Sequence, residues 1–168
     1  MTLPRSLLAM AAIAVLLLSA QRDTRCAEPN DWTQWRGPHR TGVTEGANWP
    51  DELNDESLQQ VWKHDLGPSY SGPIIAGDQV FTTETKDRKF EVVHAYDRES
   101  GKQLWETQWE GAMSVTFFAR SNGDWIRSTP AYDDGRLYVA GMRDVLVCLD
   151  AATGDVIWKV EFVRDLKS

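Results

Sequence analysis

A sequence unit occurs twice in this chain, and the repetition narrows the choice of folds more than any other feature. Residues 72–83 (GPIIAGDQVFTT) align without a gap with residues 129–140 (TPAYDDGRLYVA), 57 positions further on. Pro73 meets Pro130, Val80 meets Leu137, and Phe81 meets Tyr138. Residues 95–105 (AYDRESGKQLW) align with residues 148–158 (CLDAATGDVIW) at a spacing of 53. The first copy therefore holds four extra residues, around Lys86, Asp87 and Arg88. A loop is their expected place, because added loop length costs little. Repeats of this length belong to propellers and solenoids.

Each copy reads as four short strands, in the second copy 127–132, 136–141, 145–150 and 155–162. Asp133-Asp134-Gly135 is a hairpin turn, with glycine taking the positive φ. Leu137–Val139 and Val145–Leu149 are apolar runs, which implies strands covered on both faces. No sustained helical periodicity runs through residues 28–168. The fold expected is all-β: a partial propeller of four-stranded antiparallel blades.

A shared motif closes each unit. Ala95, Asp97, Gly101 and Trp105 in the first copy correspond to Cys148, Asp150, Gly154 and Trp158 in the second. Asp97 and Asp150 end a strand and can accept backbone donors of the turn that follows. Gly101 and Gly154 supply a positive φ. Trp105 and Trp158 fall mid-strand, where a flat ring buries about 150–250 Å² against a neighbouring sheet. Ala95 and Cys148 are small enough to leave room for a ring. The chain holds 8 Trp against 4 Tyr and 5 Phe, as a repeated packing task requires. Residues 61–66 (VWKHDL) match only the last strand of a unit, with Trp62 in the tryptophan place.

The domain layout follows. Arg5 precedes an apolar run from Leu7 to Leu18, which suits an export signal and is short for a membrane span. Residues 1–27 are read as that signal, cut after Ala20 or Ala27. Asp23-Thr24-Arg25 before Cys26 is wrong for a lipid-attachment box. Residues 28–60 are an N-terminal extension. Residues 61–168 hold the orphan strand 61–66, a blade at 69–109 and a blade at 125–162. The location implied is periplasmic or secreted, and no second segment is apolar enough to span a membrane.

Ala95-x-Asp97-x-x-Ser100-Gly101-Lys102-x-x-Trp105 resembles the tryptophan-docking motif of pyrroloquinoline-quinone (PQQ) type β-propeller repeats. The copy from Cys148 to Trp158 is a looser version. Asp31-Trp32-Thr33-Gln34-Trp35-Arg36-Gly37-Pro38 is similar to the opening of secreted bacterial members, and Arg127-Ser128-Thr129-Pro130 to the start of their blades. The resemblance covers residues 31–168. It implies either a quinoprotein dehydrogenase, with PQQ and calcium on the propeller axis, or a non-catalytic propeller that binds polypeptides. The dehydrogenase pattern includes adjacent cysteines, whereas this chain has only Cys26 and Cys148. No residue here matches the family's calcium ligands. Nor does Cys26 with Cys148 make a disulfide framework for a chain of this size.

Other chemistry finds less support. Lys plus Arg number 18 and Asp plus Glu 25, a formal charge of −7, which argues against a nucleic-acid binder. His39, His64 and His94 lack ligand spacing, and His94, aligned with Val147, is expected to pack at a blade face or edge. Asp51, Glu52, Asp55 and Glu56 lack the pattern of a calcium loop. Cys148 lies in an apolar strand, as an inert thiol does. Arg36, Arg120 and Arg127 are read as surface residues. Segment 110–126, with Phe117, Phe118 and Trp125, is read as a loop packed over a blade edge, or as a lip that meets a partner. The function expected is a binding or scaffolding propeller without catalysis, whose face takes a protein or polymer ligand. No cofactor is expected in this chain, and PQQ with calcium belongs only to the alternative. Two blades cannot close a propeller, which takes about 4–8, so a truncated, association-prone chain is expected.

Overall fold

The computed structural model describes residues 31–44, 50–113 and 123–166. The expected signal, residues 1–27, lies outside the described residues. So do Phe117, Phe118 and Arg120.

The chain forms two four-stranded antiparallel sheets. The first is β1 (Ile74–Ala76), β2 (Gln79–Lys86), β3 (Phe90–Asp97) and β4 (Gln103–Glu110). The second is β5 (Ala131–Asp133), β6 (Arg136–Ala140), β7 (Val145–Asp150) and β8 (Val156–Glu161). Both run in sequence order, so each is a meander. One helical turn, α1 (Phe162–Asp165), follows β8.

Turn chemistry places the strands. Asp134 and Gly135 have φ of 43° and 76°, as a two-residue type I′ hairpin requires. In the first copy, Gly77 at φ 58° opens the matching turn. The first strand of each sheet begins only after Pro73 or Pro130, so β5 starts at Ala131 and not near Arg127. Proline has no N–H for the ladder and restrains the residue before it.

One further expectation needs correction. The four extra residues of the first copy do not swell a loop. They lengthen the hairpin arms: β2 and β3 have 8 residues each, against 5 in β6 and 6 in β7. Residues 61–66 form no ladder among the described residues.

The sheets pack face to face. Phe81, Val93, Ala95 and Ile126 meet Leu137, Val139, Val147 and Leu149 in one apolar core, all of them fully buried. Of all the strands, β1 and β5 bring the two sheets' backbones closest. The N-terminal extension ties them there. Trp32 exchanges two backbone hydrogen bonds with Ile75 (2.8 and 2.9 Å), and Tyr132 N–H donates to the Thr33 carbonyl (2.8 Å).

Candidate functional site

The motif residues converge on the seam between sheets, and the turn comes first. The Asp97 carboxylate accepts the Ser100 N–H (2.8 Å) and hydroxyl, and these bonds hold it below the usual carboxylate range. The Gly101 N–H donates to the Asp97 carbonyl at 2.9 Å, with Gly101 at φ 70°. In the second sheet Asp150 accepts the N–H groups of Ala152 and Thr153 (2.9 and 3.0 Å), and Gly154 sits at φ 78°.

The tryptophan does not dock on its own turn. Trp105 reaches forward, its indole N–H donating to the Ala151 carbonyl at 3.0 Å. Its ring lies over Gly154, where an added Cβ would stand 2.6 Å from it. Thr107 donates to the Gly154 carbonyl at 2.6 Å. The same joint recurs one step earlier. Trp62 donates to the Arg98 carbonyl (2.9 Å) and lies over Gly101, again 2.6 Å from a notional Cβ. His64 stands where Thr107 stands and donates to the Gly101 carbonyl at 2.6 Å. A bulge aims the ring. Ala95 pairs with Trp105 and Tyr96 with Gln103, leaving Leu104 unpaired, and Cys148–Leu149 repeats this opposite Val156–Trp158.

Trp158 differs. It is 37% exposed and meets Tyr138 (6.1 Å between centroids), with no turn glycine packed against it among the described residues. Cys148, beneath it in register, is fully buried, and burial pushes its thiol up.

Sequence reasoning missed Glu91. It is fully buried in the seam and accepts the Trp109 indole N–H (2.7 Å) and the Met142 N–H (2.6 Å). Burial raises its carboxyl, opposed by those bonds and by Lys159 and Arg143. Gly111 and Gly141 leave it room, since a Cβ on either would come within 2.2 Å of the carboxylate. Glu91 lies beside the unaligned insertion, so no second copy pointed to it.

The remaining candidates scatter. Asp51, Glu52, Asp55, Glu56 and His39 are exposed. Arg36 donates to the Thr41 carbonyl, and Arg127 donates to the Gly123 carbonyl and lies over Tyr70. Trp125 packs on Tyr70 at 5.3 Å, while the buried Ile126 N–H donates to the Thr85 hydroxyl at 2.9 Å. Among the described residues no three His, Cys, Asp or Glu side chains gather as a metal-ligand set. No described helix is long and apolar enough to cross a membrane.

Residues 89–168 match a family described as outer membrane protein assembly factor BamB. An uncharacterised protein of Rickettsia conorii is 30% identical over 122 residues, which are 69% of this chain and 28% of that one. The dehydrogenase subunit of a quinone alcohol dehydrogenase from Gluconobacter oxydans is 27% identical over 162 residues, covering 88% of this chain and 20% of that one. The chain thus spans well under a third of these relatives. Among solved structures, the quinohemoprotein alcohol dehydrogenase of Comamonas testosteroni superposes with a TM-score of 0.56 at 21% identity, over 86% of this chain and 21% of that one.

Proposed function

Because this chain belongs to the PQQ-like β-propeller repeat family, we propose that it is a propeller module that binds or scaffolds other polypeptides and has no catalysis of its own. What supports this reading is where the motif's polar groups go. Asp97, Thr107 and Asp150 are engaged with turn backbone, and Trp105 with the turn of the next blade. The aspartates fix the turns and Trp105 and Thr107 hold blade to blade, and a scaffold asks no other chemistry of them. The matching family is named for assembly. On this reading residues 1–27 direct export, the periplasm or the exterior is the destination, and the propeller face takes a protein or polymer ligand without a cofactor.

A second reading has its own support in the match to the quinone alcohol dehydrogenase over 88% of this chain. Calcium takes about 6–8 oxygen ligands. The converging first strands, Ile74–Ala76 and Ala131–Asp133, offer one carboxylate, Asp133, at an exposed hairpin end. These residues do not fit a calcium–quinone site.

The deciding experiment titrates the full-length protein with PQQ and calcium, followed by tryptophan fluorescence and dye-linked alcohol oxidation. The scaffold reading expects neither saturable binding nor dye reduction. Stoichiometric PQQ binding with alcohol-dependent dye reduction would establish the dehydrogenase instead.

A further inference from the structure

We propose that His94, set between Glu84 and Glu106, is a proton-operated latch that holds segment 60–67 against the first blade. The repeat supplies a reference for what this position needs. His94 aligns with Val147, and its neighbour Tyr96 with Leu149. Val147 and Leu149 are fully buried in the apolar seam. A blade face at this place thus requires only apolar packing, and the imidazole is an addition.

His94 is 4% exposed. Its Nε2 lies 3.2 Å from Glu84 Oε1, and its Nδ1 lies 3.7 Å from Glu106 Oε2. The Nδ1 atom is buried and has no hydrogen-bond partner among the described residues. The other oxygen of Glu84 accepts the Gly67 N–H, and next to it the Thr85 N–H donates to the Pro68 carbonyl at 2.9 Å. A hydrogen-bonded path therefore runs from His94 through Glu84 to the backbone of the segment, with the Glu106 carboxylate on the far side of the imidazole. Trp62 and His64 lie on that segment, and His64 stacks on Tyr96 at 4.3 Å.

A neutral imidazole has one N–H. Donated to Glu84, it leaves a bare Nδ1 lone pair facing the Glu106 carboxylate. Protonation supplies the second N–H and places a cation between two carboxylates, which strengthens both contacts. The other titratable groups facing this place are Lys86 on β2 (3.6 Å from Glu106), Tyr96 on β3 and His64 on the segment, while Lys63 and Asp65 pair with each other in solvent. Lys86 shares Glu106 but sits at a half-exposed edge, where solvent screens it more than it screens His94. The segment is therefore held more firmly when the imidazole carries its second proton.

Native-state hydrogen exchange of the full chain tests this, read by NMR at the Gly67 amide and the Trp62 indole N–H and corrected for intrinsic rates. Measurements are made at about pH 6 and about pH 8. Protection is expected to be at least about fivefold greater at the lower pH, the small end of coupling between sites. His94→Val, which installs the residue of the second copy, is expected to abolish the difference, and Glu106→Gln to reduce it. Equal protection at both pH values in the unmodified chain overturns the latch, as does a pH difference that survives in His94→Val. Should His94→Val not fold, Glu106→Gln decides, and an undiminished difference there is equally fatal.

Discussion

A methyl group at residue 154 has no room. The Trp105 ring fills the space, and φ of 78° is already unfavourable for any residue with a Cβ. Gly135 has a similar φ of 76°, but nothing lies within 4 Å of its notional Cβ. The pair separates backbone strain from crowding. Gly135→Ala is expected to lower stability by about 1 kcal/mol, and Gly154→Ala by about 3 kcal/mol once overpacking is added. Urea denaturation of both variants checks this, and equal losses would mean that the ring yields freely. The glycine, the aspartate and the tryptophan were all legible in the sequence. Their pairing was not, because each ring docks on a carbonyl of the following copy, and a backbone acceptor such as that of Ala151 leaves no mark in residue type.

At the level of elements, the turns and the starts of strands followed from glycine and proline, whereas strand length did not. The arms of the β2–β3 hairpin outgrow their counterparts, and the added length carries Thr85 and Glu91 to the seam. Only packing against a second sheet reveals that purpose. Thr85 holds the fully buried Ile126 N–H, so its hydroxyl ties down the connection between blades. Thr85→Val keeps the shape and strands that donor, an expected loss of about 1–3 kcal/mol. Thr85→Ser should recover most of it in the same denaturation assay. If valine matched the parent, the Ile126 N–H would have found another acceptor and the tie would be unnecessary.

Across the whole molecule, two blades share one core and leave an apolar face uncovered. Trp158, Val156, Ile157, Phe162 and Val163 are between 37% and 65% exposed around β8 and α1. A polypeptide limited to residues 28–168 is therefore expected to self-associate. Trp158→Arg should shift its sedimentation towards monomer, while a monodisperse parent with a sharp unfolding transition would contradict the expectation. The forward reach of the tryptophans has a consequence for anyone who would shuffle these units. The period of the sequence and the period of the mechanical joints are out of phase. A cut placed between copies parts each knob from its hole, while a cut just after a docking turn keeps them together. A lesion at a turn also reaches two blades: the one whose last two strands the turn joins, and the outer strand of the blade before it, which docks there.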